Sequence, residues 1–374
     1  MNYVSIEELC EILNGYAFKS DNYVEEGVRI IRIANVQKGY IEDNTPVFCQ
    51  YDNLELEKYM LMENDLLISL TGNVGRVALL TREFLPAALN QRVACLRLKN
   101  KEVLKKYLFY CLSANGFEEK CIRSAKGVAQ KNMSTEWLKK YKIPLYSSNE
   151  QIQIVRSLDF ISRTINNRKK QLQKLDELIQ ARFVELFGDP TINTKKYPLK
   201  LLPEIAEYWN GLTYKPDDVA DKGTIVLRSS NIQNMTLDFE DIVRVNCKIG
   251  EKKYVHENDI LMCSRNGSAR LVGKVALIKN IEEPMSFGAF MLIIRSAYYP
   301  YLMTYFQMPA FRAQIVTGAT TTINQITGRM LDNVKLPVPD MYVVNQFAAF
   351  VNQVNKSKLV IKNLLQIYKH QIQM

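Results

Sequence analysis

Two kinds of pattern alternate along this chain, and the alternation occurs twice. The first kind is a set of short apolar or β-branched runs: "VRIIRIANV", "DLLISL", "GRVALL" and "RVACLRL", then much later "GTIVLRSSNI", "DILMCS", "GKVALI" and "AFMLIIR". Gly, Asn and Asp punctuate them, which predicts strands joined by tight turns. A helical patch follows each set, "KEVLKKYLFYCLSANGFEEKCIRS" and "YYPYLMTYFQMPAFRAQIV", and each copy then reaches an extended "IP" or "LP". The second kind of pattern has an apolar period near 3.5. It runs through Leu158, Ile161, Ile165, Leu172, Leu175 and Ile179, and again through Val351, Val354, Ile361, Leu365, Tyr368 and Ile372. Such spacing predicts long helices with a coiled-coil seam.

The two copies align in order. "IRIANVQ" (31–37) meets "LRSSNIQ" (227–233), and "ENDLLIS" (63–69) meets "ENDILMC" (257–263). "GRVALL" (75–80) meets "GKVALI" (273–278), and "KIPLY" (142–146) meets "KLPVP" (335–339). Small drifts in the offset are what loop insertions and deletions produce, so an internal duplication is expected. The first helical stretch has no Gly or Pro from Gln151 to Phe187. At 1.5 Å per residue it would extend about 55 Å, more than one small domain needs, and its simplest partner is the second seam, in antiparallel pairing. Gly188 and Pro190 should stop it. The expected fold class is therefore α+β: two globular modules of short strands and helices, separated by two long helices, with a pseudo-two-fold repeat. The expected division is 1–146, 147–188, 189–340 and 341–374.

Composition removes much chemistry. There are 374 residues, and only two are His, His256 and His370. That argues against His-based metal sites and Ser-His-Asp triads, and both read as surface residues. Seven Cys with no C-x-x-C spacing read as reduced, mostly buried thiols. The N-terminal "MNYVSIEELCEILNG" has no basic segment leading an apolar one, and no apolar run approaches the roughly 18 residues of a membrane span. A cytoplasmic location with no membrane association is expected. "GSARLVGKV" (267–275) has the wrong Gly spacing for a phosphate loop and no Ser or Thr after its Lys. No Asn-Pro-Pro-aromatic or Asp-Pro-Pro-aromatic tetrapeptide of amino-methyltransferases is present. Glu251–Lys253 with Asp241 reads as an exposed turn rather than a nuclease carboxylate–lysine set. No catalytic residue, metal ligand or cofactor is expected.

The net charge of +10 favours an anionic partner. The polar loops suit double-stranded DNA, because Arg forks match guanine edges, Asn and Gln match adenine, and all can hold phosphates. The candidates in the first copy are Thr71, Asn73 and Arg76, then Asn90, Gln91 and Arg92, then Lys126, Gln130 and Lys131. In the second they are Ser264, Arg265, Asn266, Arg270, Lys274 and Asn324. The plainer reading is that such residues only make turns. The loops differ between copies where the flanking strands agree, as expected for reading two unlike half-sites.

With these features together, the chain resembles the specificity subunit of a type I restriction-modification system over essentially its whole length. The resemblance rests most on "FVELFGDPTINTKKYPLKLLPEIA" (183–206), the helix entries "IP…NEQIQIV" and "LP…VNQFAAF", and the paired "GNVGR" and "RLVGK" loops. It departs where "TTTINQI" lacks the Gly-to-Asn spacing of "GVAQKNM". The resemblance implies two target-recognition domains that each read part of a bipartite DNA site. It also implies an antiparallel helical spacer that docks two methyltransferase subunits, restriction (translocase) subunits that join this core, and adenine methylation done by the partner. The alternatives are a protein-only coiled-coil scaffold and a stand-alone DNA-modifying nuclease or methyltransferase.

Overall fold

The computed structural model describes residues 2–50, 54–99, 102–125, 132–315 and 325–373. The chain divides into two compact units, 1–168 with 364–374, and 169–363.

In the first unit an antiparallel four-stranded sheet runs in the order Cys10–Asn14, Val93–Leu98, Leu66–Ser69, Val77–Leu79. In the second unit the order is Glu207–Asn210, Met291–Arg295, Ile260–Cys263, Val275–Leu277. The duplicated sequence blocks therefore occupy the same places in duplicated sheets. A second sheet in each unit repeats one parallel pairing: Val28–Ile31 with Ala87–Leu89, and Val219–Leu227 with Met285–Phe287. A two-stranded sheet closes each module, Asn2–Ser5 with Lys142–Leu145 and Leu199–Leu201 with Lys335–Pro337. The α+β architecture and its internal repeat are as the sequence predicts.

Two local expectations change. The run "VRIIRIANV" is a strand only over Val28–Ile31, because the buried Asn35 folds the rest into a turn. Its side-chain oxygen accepts the Arg32 backbone N–H at 2.8 Å, and its amide donates to the Glu42 carbonyl at 2.9 Å. Asn231 repeats this with Arg228, Asp238 and Asp241. Each helical patch is also split, into Lys105–Ser113 and Asn115–Ser124, and into Tyr299–Tyr305 and Pro309–Ile315. Ala114 is extended at the first break. At the second, Pro309 disfavours a helical residue before it.

Both modules share a buried ionic lock that sequence patterning did not single out. Asp65 and Asp259 are 2% and 1% exposed. Asp65 accepts the Met62 backbone N–H and a forked pair of bonds from Arg97 at 3.2 and 2.7 Å. Asp259 accepts the His256 N–H and a fork from Arg295 at 2.7 and 2.8 Å. A carboxylate taken from water needs its full set of partners, and here it has them.

The first long helix is Ser148–Phe187, starting three residues before Gln151. Glu150 turns back to accept the Ser147 N–H and hydroxyl, a capping box. Gly188 ends the helix with φ +75°. Within the first unit the helix is held by Gln151, whose amide spans Glu102, Leu104 and Tyr146, and by Asp159, which meets Lys106 at 2.6 Å and Tyr110 at 2.7 Å.

The second long helix is Met341–Gln373. Inside the second unit the two helices run antiparallel. Phe183 meets Phe347, Arg182 lies over Phe350, and Asp176 pairs with Lys358 at 2.5 Å, so numbers rise on one helix as they fall on the other. Phe183, Phe187, Tyr301 and Phe347 form a buried aromatic knot with ring centroids 4.8–5.7 Å apart. Of the seam residues, Ile165, Ile179, Val354 and Leu365 are buried. Leu158, Ile161, Leu172, Leu175, Val351, Ile361 and Tyr368 are half-buried. The Ile372 side chain lies outside the described ones.

Replacing Asp259 with Ala strands the half-buried Arg295 and the His256 N–H. We expect urea unfolding of the full chain to show a loss of about 2–3 kcal/mol, discounted for Arg295's access to water. A loss below about 1 kcal/mol would mean that the lock is an ordinary surface pair.

Candidate nucleic-acid interface

Backbone bonds bring loops nominated by sequence together in each module, among the described residues. In the first unit Leu70 N–H donates to the Arg92 carbonyl at 3.0 Å, and Met133 N–H donates to the Leu70 carbonyl at 2.8 Å. Thr71 bridges to Asn132, and Tyr16 bridges to Asn90. Gln91 N–H donates back to the Tyr16 carbonyl at 2.9 Å. Gly15 makes this approach possible, since a Cβ there would stand 2.2 Å from the Asn90 backbone. The loops around Tyr16, Thr71–Asn73, Asn90–Arg92 and Asn132 thus form one polar rim.

The second unit repeats the construction with other side chains. Ser264 and Arg265 N–H groups both donate to the Phe290 carbonyl, at 2.9 and 3.1 Å. Arg265 bridges to Gln325, and Leu212 bridges to Gly288. Gly211 takes the place of Gly15, with a virtual Cβ 2.1 Å from the Phe287 carbonyl oxygen. Position by position, Tyr16 is replaced by Leu212, Thr71 by Arg265, Arg92 by Phe290 and Asn132 by Gln325. Gln325 is adjacent to the nominated Asn324, and the bridge shows that it is the counterpart of Asn132.

Side chains divide into those that face solvent and those that hold the loops. Asn73, Gln91, Arg92, Arg265 and Arg270 are exposed, and Asn90 and Asn266 are half-buried. Arg265 lies 5.4 Å over the ring of Phe290, which is 60% exposed. Thr71 and Ser264 are buried. Arg76 donates to the Gln37 side chain at 2.6 Å, so part of its fork is already occupied. Lys274 is half-buried and donates to the Ile232 carbonyl at 2.8 Å, joining two strands rather than reaching outward. Asn266 spans Ser229 Oγ and the Ser268 N–H, which shapes its own loop. Lys126, Gln130, Lys131 and Asn324 lie outside the described residues. Sequence reasoning missed Tyr16, Phe290 and Gln325; the alignment of the two copies could have flagged Phe290 opposite Arg92.

The "GR" and "GK" steps have a structural cause. Gly75 and Gly273 adopt φ +84° and +80°. A Cβ on Gly75 would stand 2.7 Å from the Cβ of Cys121 on helix Asn115–Ser124, and one on Gly273 2.9 Å from the Arg312 guanidinium. Burial pushes the Cys121 thiol up to about 12, so it packs there as a neutral group. Glu251–Lys253 is a short 3-10 turn, and Lys253 donates to the Asn210 and Gly211 carbonyls. Among the described residues no group of His, Cys, Asp or Glu could hold a metal ion, and no helix is long and apolar enough to cross a membrane.

A family model described as the type I restriction modification DNA specificity domain matches residues 1–177. The chain is 22% identical to the type I restriction enzyme EcoKI specificity subunit of Escherichia coli K12, across 96% of this chain and 86% of that one. The first 177 residues thus match the type I specificity domain, and the relatives named here are type I specificity subunits. The chain is 24% identical to the EcoBI specificity subunit of Escherichia coli, covering 76% of this chain but only 62% of that relative. The MjaVIII specificity subunit of Methanocaldococcus jannaschii is 28% identical over 46% of this chain and 42% of its own length. The chain thus spans less than two thirds of some of these relatives. In structure it matches the type I restriction-modification S subunit from M. genitalium over 100% of this chain and 95% of that one, with a TM-score of 0.53 at 15% identity. That likeness speaks to the fold.

Gly75→Ala should cost more than about 1 kcal/mol by urea unfolding, because it meets both the left-handed backbone and the Cys121 helix. Asn73→Ala, two residues away and exposed, should change stability by less than about 0.5 kcal/mol. Equal effects would show that the loop tolerates a shift.

Proposed function

We propose that this chain is the DNA-reading, non-catalytic subunit of a type I restriction-modification assembly, working in the cytoplasm. Residues 1–146 and 189–340 are its two target-recognition domains, and 147–188 and 341–374 are its spacer helices. Each domain reads one half of a bipartite site in double-stranded DNA. The helices dock two methyltransferase subunits, and restriction subunits join through that core. The partners carry out methylation and cleavage. The observation that carries this reading is the doubled rim: one backbone scaffold presents Tyr16, Asn73 and Arg92 in one unit and Leu212, Arg265, Arg270 and Phe290 in the other. A scaffold that bound only proteins would have no reason to pair equal loops with unequal, Arg-bearing edges in a chain of charge +10.

The deciding experiment is methylome sequencing of cells that express this chain with its methyltransferase. A bipartite methylated motif is expected. Methylation without such a motif, or methylation by the purified chain alone, would overturn the reading.

The same readout separates the domains. Replacing Arg92, or the partly occupied Arg76, should weaken one half-site by about 1–3 kcal/mol, and replacing Arg265 or Arg270 the other. Uniform weakening on every sequence would make these phosphate contacts rather than base readers.

Spacing offers a separate test. Four residues inserted near Leu172 lengthen the first long helix by about 6 Å, close to two base pairs. Both half-sites should persist with one or two more unread bases between them. Continued methylation at the original gap would show that another element sets the distance.

A further inference from the structure

The first module carries an open cavity of about 410 Å³, away from the rim, lined by Tyr3, Lys120, Trp137, Lys140, Tyr141 and Lys142. Its three lysines are exposed, and no acidic residue lines it. Trp137 and Tyr141 have ring centroids 5.4 Å apart and rest on the buried Phe117, while Lys120 lies 5.6 Å over Tyr141. Acids on the neighbouring elements are engaged elsewhere: Glu136 pairs with Lys139 at 2.5 Å, and Glu8 accepts the Ser5 N–H at 3.1 Å.

The fold does not require this cluster, because the second module has the same scaffold without it. Helix Thr135–Lys140 is capped by Ser134, and helix Gly328–Asp332 is capped by Thr327. Strand register pairs Tyr3 with Pro144 and Ser5 with Lys142, and likewise Leu199 with Pro337 and Leu201 with Lys335. Through these anchors Tyr3 corresponds to Leu199, Trp137 to Met330, Lys140 to Asn333 and Tyr141 to Val334. The buried positions beneath agree, Leu138 with Leu331 and Ile143 with Leu336. Lys142 is kept as Lys335, so the difference lies in Tyr3, Trp137, Lys140 and Tyr141, aromatic or basic in the first module and replaced by uncharged, non-aromatic residues in the second.

Along the chain the cavity follows directly on the rim. Asn132, which bridges to Thr71, lies two residues before Ser134, and the capped helix carries Trp137 and Lys140 away from that point. Six helical residues advance about 9 Å, or roughly three base pairs of duplex. We propose that the cavity binds the phosphate backbone of duplex DNA flanking the first half-site, so that the protein grips its target asymmetrically. This rests on the DNA-reading function above. Lysine ammoniums, phenol hydroxyls and the indole N–H are all donors that phosphate oxygens accept, and none of them reads sequence.

The test uses the full chain assembled with its methyltransferase, and a K120Q/K140Q/K142Q variant whose exposed substitutions leave the core alone. The probes are duplexes carrying the methylated motif with about two or about ten base pairs of flank on either side, titrated over a range of KCl. For the unaltered protein we expect the longer flank beside the first half-site to tighten binding severalfold, and the other flank to matter little. The variant should lose that gain, keep its sequence preference, and show a log–log salt slope shallower by about 2–3. Unchanged flank dependence and slope in the variant would overturn the proposal. So would loss of methyltransferase assembly with flank dependence intact, which would assign the cavity to an acidic protein segment. If the unaltered assembly shows no sequence-dependent DNA binding at all, the DNA-reading function itself fails, a result distinguishable from either.

Discussion

Two carboxylates, Asp65 and Asp259, fix the geometry on which both modules depend. Each is buried, caps the turn that precedes a core strand, and holds an arginine of the neighbouring strand in a two-pronged bond. An ionised group in that position is tolerable only when all its partners are in place. The pair therefore selects one register, Leu66 opposite Leu96 and Ile260 opposite Ile294. With that register set, the loops after Ser69 and Cys263 leave the sheet beside Arg92 and Phe290. The position of the candidate interface follows from an ionic contact in the interior.

A rigid interior with a variable edge suits a protein that must present different surfaces from one fold. Close packing keeps the matched sheet positions apolar in both copies, with size traded among neighbours, as where Ala94 matches Leu292 and Cys95 matches Ile293. No such constraint acts on the rim. There Thr71 and Arg265, or Arg92 and Phe290, occupy matched backbone positions with unlike chemistry. The lysine and aromatic cluster around Trp137 follows the same logic at a second place on the first module.

The long helices join these modules with a different economy. In the second unit the aromatic knot of Phe183, Phe187, Tyr301 and Phe347 merges the helix pair with the globular core. In the first unit polar residues do the comparable work: Gln151 is buried and fully bonded where the second copy has the buried Val344. Several large apolar side chains on the helices, including Phe160, Leu359 and Val360, remain exposed.

The sequence by itself determined the duplication, the strands, the helical seam and the loops that make the rim. Those features are periodic or local, and binary patterning records them directly. It did not reveal which polar side chains serve the loops and which face outward. Arg76 is drawn to Gln37, Lys274 to the Ile232 carbonyl, and Asn35 and Asn231 to their own turns. Nor did it reveal that Gln325 stands where Asn132 does, that Asp65 and Asp259 carry the register, or that Tyr3 joins Trp137 and Lys140. Each of these depends on partners brought together by sheet register or helix docking. A hydrogen-bonding side chain takes whichever partner the fold places within about 3 Å, and only the tertiary structure supplies that partner.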